Sequence, residues 1–181
     1  ATEQINKLKS LPNMLLYIDQ VMNEGRLGVA ELKCREFLKK NPTHTYAMSQ
    51  LSEIANRLGH FDDAELLLEK AVQFNPDDGE LRMKYALVLR KKQKFAKTME
   101  QVNILCEKYP DNLAYQAQKA SEIMQNGQHE DAIDLFDDIL SKNPHNFSTF
   151  TSKGHALKTL GKTDDAIESY QSAYKIRPDH G

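Results

Sequence analysis

The chain has 181 residues, of which 40% are hydrophobic and 28% charged, a composition typical of a soluble globular protein. Its 24 basic and 26 acidic residues give a formal net charge of −2, so no overall charge draws it to nucleic acid or to an anionic membrane surface. No apolar run approaches the roughly 18 residues that a membrane span needs, and the first residues show no secretory signal pattern. Cys34 and Cys106 lack metal-ligand spacing, and we expect reduced core thiols in a cytoplasmic protein.

The dominant feature of the sequence is a period of 34 residues, marked by five of the six prolines. These prolines are Pro42, Pro76, Pro110, Pro144 and Pro178. If each proline is position 32 of a repeat, the five repeats are residues 11–44, 45–78, 79–112, 113–146 and 147–180. A fixed period of this length predicts an array in which each repeat packs on its neighbours.

Each repeat is predicted to contain two amphipathic helices joined by a short turn. Position 15, in the turn, is glycine in four repeats, because a left-handed backbone is least costly for glycine, and it is Gln93 in the third repeat. The proline then prevents the second helix from continuing. Position 20 is small, which lets the two helices of a repeat approach closely; it holds Ala30, Ala64, Thr98, Ala132 and Ala166. Because Gln93 and Thr98 both depart from the pattern, we expect the third repeat to be locally the least regular.

This pattern resembles the tetratricopeptide repeat family over about 170 residues. The resemblance implies an all-α, right-handed superhelical solenoid of five antiparallel helix-turn-helix repeats, formed by residues 11–181. Its first helices line a concave groove, and its second helices form the convex back. Residues 1–10 precede the register, and Ile5 and Leu8 share one helical face, so a short N-terminal capping helix is expected there.

In this family, position 8 tolerates little bulk and position 24 fills the space between successive hairpins. Position 8 reads Ile18, Ser52, Ala86, Ala120 and Gly154. Position 24 reads Cys34, Leu68, Val102, Phe136 and Tyr170. All five residues at position 24 are able to fill that space.

The resemblance also implies a binding groove, because positions 2, 5, 9, 12 and 13 of each first helix face the concave side. The residues carried over are Tyr46, Glu53, Asn56, Arg57, Met83, Leu87, Arg90, Ser121, Met124, His155 and Lys158. The lining is mixed, with apolar Met83, Leu87 and Met124 beside cationic Arg57, Arg90 and Lys158, which suits a peptide or helix with an apolar anchor and an acidic flank. The alternative is a concave surface that is solvated or covered by the protein's own chain.

Two specialised uses of the family do not fit. Leu15 and Asp19 stand where a clamp for a terminal carboxylate needs Lys and Asn. In glycosyltransferase-linked arrays, position 6 holds a ladder of asparagines. Here no asparagine occupies that position, which holds Leu16, Gln50, Lys84, Gln118 and Ser152.

Other local patterns favour structure over chemistry. Gly161-Lys162-Thr163 resembles the end of a phosphate-binding loop, but Ala156 replaces the required upstream glycine and no strand precedes it. The six histidines lack the spacing of metal ligands, and we predict no metal, no cofactor and no active site. The basic run 90–94 is either a patch for acidic peptide, phosphate or RNA, or a solvated turn near the negative end of a helix.

The end of the sequence suggests a larger parent protein. Gly181 is the first position of a sixth repeat, and we expect Tyr170, Ala173 and Tyr174 to form an uncovered face for self-association or for a following domain. Residues 154–181 are similar to the last repeats of bacterial tetratricopeptide-sulfotransferase proteins. The sequence therefore predicts a protein-binding module. The alternatives are a regulatory or oligomerising part of such a sulfotransferase, or an adaptor in bacterial assembly or secretion.

Overall fold

The computed structural model describes residues 12–178, which form α-helices joined by short turns and contain no strand. The helices are α1 (Asn13–Asn23), α2 (Leu27–Lys40), α3 (Thr45–Arg57), α4 (Phe61–Phe74), α5 (Gly79–Lys91), α6 (Phe95–Lys108), α7 (Leu113–Gln125), α8 (His129–Lys142), α9 (Phe147–Thr159) and α10 (Thr163–Ile176). Each predicted repeat supplies one consecutive pair, so the all-α helix-turn-helix fold is confirmed. The predicted N-terminal helix in residues 1–10 lies outside the described residues. Of the described helices, none is long and apolar enough to cross a bilayer.

Four of the first helices are preceded by a residue whose side chain caps the N-terminus of the helix. Asp78 accepts hydrogen bonds from Glu80 N (3.0 Å) and Leu81 N (3.1 Å) at the start of α5. Asn112 caps α7 in the same way, and Asn146 caps α9 by accepting from Thr149 N (3.2 Å). His44 caps α3 by accepting from Ala47 N through Nδ1 (3.3 Å). These caps satisfy N–H groups that have no partner inside the helix. They fix the start of α3, α5, α7 and α9 at position 34 of the preceding repeat.

The turns between paired helices have the left-handed backbone that the sequence predicts. Gly59, Gly127 and the other two turn glycines have φ between 76° and 86°. Gln93 adopts the same conformation with φ 57°, although a Cβ atom makes this region unfavourable by about 1–2 kcal/mol. The third repeat is nevertheless not shortened, since α5 and α6 have the 13 and 14 residues of the pairs in repeats two, four and five. The helix lengths of the third repeat are therefore regular, whereas its turn contains a non-glycine residue in the left-handed conformation.

Inter-residue contacts divide the chain into two compact units, Ala1–Thr98 and Met99–Gly181. In the described part of the first unit, Ile18, Ala30 and Cys34 are fully buried in one core cluster with residues of α3. The Cys34 thiol donates to Ala47 O (3.1 Å), and burial raises its pKa to about 12. Both described cysteines are free thiols, and Cys34 is the core thiol that its position predicts.

The second unit is built on small-to-large packing inside each hairpin. Ala120, Ala132, Phe136 and Ile139 form one buried cluster. In the last repeat, a Cβ atom on Gly154 would lie 2.5 Å from Cε1 of Tyr170. Only glycine lets the Tyr170 ring lie this close to α9, which accounts for the residue at position 8.

Candidate functional site

In the first unit, the first helices surround an open concavity of about 760 Å³, here called the α1–α3 concavity. It is lined by Leu16, Asp19, Gln20, Met22, Asn23, Glu24, Gln50, Glu53, Arg57 and Lys84. Glu53 and Arg57 belong to the predicted groove. Asp19, Gln50 and Lys84 are not among the predicted groove residues. Gln50 and Lys84 occupy position 6, for which the sequence excludes only an asparagine ladder, and Asp19 lies in repeat one, for which it excludes only a carboxylate clamp.

A second concavity of about 260 Å³ lies between α3 and α5 and is here called the α3–α5 concavity. Its lining residues are Ser52, Glu53, Asn56, Leu68, Lys84, Leu87, Val88, Arg90 and Lys91. Leu87 and Val88 form its apolar part with Leu68, and Leu87 is 41% exposed. Because Glu53 and Lys84 line both concavities, the two adjoin along the first helices of repeats one to three.

A polar network fixes Asp19 at the junction of α1 and α3. Tyr46 donates its hydroxyl to Oδ2 of Asp19 (2.6 Å), and Gln50 Nε2 donates to Oδ1. Burial raises the pKa of Tyr46, and its hydrogen bond to Asp19 raises that pKa further. The phenol therefore stays a hydroxyl donor at neutral pH, and Tyr46 contributes to the site by orienting Asp19.

Three further contacts join consecutive first helices at a separation of 35 residues, one repeat plus one residue. Arg57 Nη1 donates to Met22 O at the end of α1 (3.3 Å), while its Nε donates to Glu53 (2.8 Å). Lys84 Nζ donates to Ser49 Oγ (3.1 Å). Lys91 Nζ donates to Asn56 Oδ1 (2.8 Å). Positions 5 and 12 of one repeat thus meet positions 6 and 13 of the next.

The remaining lysines of the basic run are used for packing. Lys94 Nζ lies 2.6 Å from Glu65 Oε1, and Lys92 pairs with both Glu65 and Asp62 of α4. The hydrogen bonds to Asp62 and then Glu65 raise the pKa of Lys92. Burial alone would raise the pKa of Glu65, but the hydrogen bonds from the two lysines lower it overall. The run therefore contributes Arg90 and Lys91 to the concavity, whereas Lys92 and Lys94 join repeats two and three.

Met83, also predicted to face the groove, is partly buried on α5 and lines neither of these concavities. In the second unit, the Ser121 hydroxyl donates to Ala117 O of its own helix (2.9 Å). Met124 packs against the core cluster around Phe136. His155 Nδ1 and the Tyr170 hydroxyl are joined by a hydrogen bond (3.0 Å), and Lys158 is exposed.

The predicted open face of the last helix is smaller than expected. Ala173 is buried with 3% exposure, and Tyr170 is half-buried because its ring packs on Gly154 and His155. The prediction that both are uncovered is wrong, since the hairpin itself covers them. Tyr174 alone of the three is exposed, at 57%.

Among the described residues, no group of three or more His, Cys, Asp and Glu side chains is placed to hold a metal ion. What the described first unit offers is a polar and apolar surface along α1, α3 and α5. Such a surface binds by shape, hydrogen bonding and charge.

The chain belongs to the tetratricopeptide repeat family. Residues 85–181 match the family described as the N-terminal TPR repeats region of Psidin, and residues 50–112 match a tetratricopeptide repeat family. No curated protein matches the chain.

Several solved structures share the fold at low sequence identity. A crystal structure of MamA is 17% identical with a TM-score of 0.76, covering 89% of this chain and 94% of that one. MamA residues 41 to the end from Desulfovibrio magneticus RS-1 is 12% identical with a TM-score of 0.79, covering 93% and 96%. YrrB, described as a TPR protein with an unusual peptide-binding site, is 17% identical with a TM-score of 0.72, covering 99% and 93%. At these identities the likeness shows the fold.

Proposed function

We propose that the chain is a protein-interaction module whose first unit holds an extended segment of a partner protein along α1, α3 and α5. The observation that carries this proposal is the pair of adjoining concavities on the three first helices. Together they present carboxylate, carboxamide and cationic groups beside the apolar side chains of Leu87 and Val88. A peptide backbone needs donors and acceptors along its length and pockets for some of its side chains.

The cross-helix hydrogen bonds support this proposal because they preorganise the surface. Asp19, Lys84 and Lys91 are each held by a residue of a neighbouring helix. Side chains that are already ordered lose less conformational entropy when a ligand binds. The peptide-binding site named for YrrB, which shares the fold, also supports a peptide ligand. In the second unit, the exposed His155 and Lys158 offer candidate contacts for the same class of ligand.

The proposal is tested with a random dodecapeptide library displayed on phage and captured by the immobilised chain. Leu87→Asp places a carboxylate in the apolar part of the α3–α5 concavity and should lower capture about tenfold. Leu32→Asp is the matched control, because Leu32 is 57% exposed on α2 and lines neither concavity. Equal capture by both variants, with unchanged circular dichroism, would show that the concavities do not bind.

The other two roles, in a sulfotransferase and in bacterial assembly or secretion, stay predictions, as does a cytoplasmic location. No contact of the described residues favours one of them over the other.

A further inference from the structure

Charge is distributed unevenly along the first helices of the first unit. The α1–α3 concavity is lined by three carboxylates, including Asp19 and Glu24, and by two cations. The α3–α5 concavity is lined by one carboxylate and by the three cations Lys84, Arg90 and Lys91. The surface therefore has an acidic end at α1 and a basic end at α5.

The acidic end is held in place by contacts within the first unit. Tyr46 and Gln50 fix Asp19. Glu24, which caps the end of α1, accepts from Gln20 Nε2 (2.9 Å) and from Arg26 Nη1 (3.3 Å). The hydrogen bond from Gln20, and then that from Arg26, lowers the pKa of Glu24, so it stays ionised at neutral pH.

The basic end is fixed in a similar way. Lys91 donates to Asn56 and lies 5.8 Å from the ring centroid of Phe61. Lys84 is held by Ser49 and lies 3.1 Å from Glu80. A lysine retains further donors when one is used, so these ammonium groups can still contact a ligand carboxylate.

The distance between the two ends sets a length scale for the ligand. Neighbouring first helices are joined by side-chain hydrogen bonds, and two steps of the usual spacing between adjacent helices, roughly 8–10 Å each, span about 16–20 Å. An extended chain advances about 3.3 Å per residue. Roughly five or six residues of an extended peptide therefore separate a group at the acidic end from a group at the basic end.

We propose that the first unit selects an extended peptide with segregated charge. Its basic residues lie at α1, its acidic residues lie at α5 about five residues away, and an aliphatic side chain sits near Leu87. This inference rests on the proposed function and adds the chemistry of the ligand. A uniformly anionic ligand such as RNA fits less well, because Asp19, Glu24 and Glu53 would repel its backbone.

The test sequences the dodecapeptides that the immobilised chain enriches and compares two variants. Lys91→Glu should abolish the enrichment of acidic residues and keep that of basic residues, and Glu24→Lys should do the reverse. Lys70→Glu, on an exposed part of α4 that lines neither concavity, is the control and should change neither. A selected peptide should bind about fivefold more tightly than an isomer with the same charged residues interspersed. This difference in affinity should decrease at high salt, which screens the charges.

The outcomes separate this inference from the proposed function. Enriched peptides without charge segregation, still lost with Leu87→Asp, would overturn the inference and leave the peptide-binding surface in place. No enrichment over an empty support would overturn both. Concentration-dependent sedimentation that Leu87→Asp abolishes would also overturn the inference, because a second copy of the chain would then be the occupant.

Discussion

Repeat one and repeat five fill the same core positions in opposite ways. In repeat one, position 8 is the large Ile18 and position 24 the small Cys34, and both are fully buried in one cluster. In repeat five, position 8 is Gly154 and position 24 is Tyr170, whose ring occupies the space where a Cβ atom of Gly154 would lie. In these two repeats, a large residue at one of the two positions is therefore matched by a small residue at the other, as close packing requires.

The largest expected effect comes from placing the repeat-one residues at positions 8 and 24 of repeat five. Gly154→Ile should destabilise the chain by about 1–3 kcal/mol, because the new side chain overlaps Tyr170. Adding Tyr170→Cys, which reproduces the pair in repeat one, should restore much of that loss. Chemical denaturation of both single variants and the double variant gives the coupling energy. Additive effects would show that positions 8 and 24 do not share one volume.

The units also differ in how charged side chains join neighbouring repeats. In the first unit, Glu65 is only 12% exposed and receives both Lys92 and Lys94. In the second, Asp137 pairs with Lys153 at 2.5 Å but is 51% exposed. Since water screens an exposed ion pair, the two should contribute unequally to stability.

We therefore expect Glu65→Gln to cost about 1–2 kcal/mol at pH 7 and Asp137→Asn at most about 0.5 kcal/mol. The Glu65 contribution should depend on pH. Its pKa is lowered in the folded chain, so the stabilisation is present above the unfolded pKa of about 4.3 and is lost as the pH falls through the folded value. Urea denaturation of wild type and variant at pH 7, 5 and 3 measures the difference, which should shrink below pH 4.3. A difference that stays constant down to pH 3 would exclude the ion pairs as its source.

The sequence predicts the helices and turns well because their determinants are local or periodic. The turn glycines, small residues such as Ala132 and the terminal prolines act within one repeat, so their spacing is sufficient to place them. The caps of α3, α5, α7 and α9 went unpredicted, although all four lie at position 34. Asp78, Asn112 and Asn146 were readable from that position, since Asp and Asn are common capping residues, whereas His44 was not.

The candidate site was predicted less well, because its polar contacts depend on pairs from different repeats. Lys84 and Asp19 line the α1–α3 concavity, although the family pattern assigns their positions to an asparagine ladder and to a carboxylate clamp. The pairs Ser49 with Lys84 and Asn56 with Lys91 are polar residues 35 positions apart and are visible in the sequence. In the second unit, positions 5 and 12 of repeat four hold Ala117 and Met124, whose side chains have no nitrogen or oxygen and so cannot accept a hydrogen bond as those of Ser49 and Asn56 do.

The smallest expected effect concerns the turn that differs between the units. Gln93 has φ 57° where Gly127 has φ 86°. Gln93→Gly should stabilise the chain by about 0.5–1 kcal/mol, because relief of left-handed strain exceeds the entropy that glycine loses on folding. Gly127→Gln should cost a similar amount, which makes the two substitutions a matched pair.

Thermal denaturation followed by circular dichroism measures both substitutions against wild type, and Gln128→Gly serves as a control. Gln128 has φ −87°, so glycine relieves no strain there and should lower the melting temperature slightly. If Gln93→Gly lowered the melting temperature as well, contacts of the Gln93 side chain would stabilise the folded chain by more than the strained backbone destabilises it. The turns of the two units would then differ in their side-chain contacts as well as in their backbone strain.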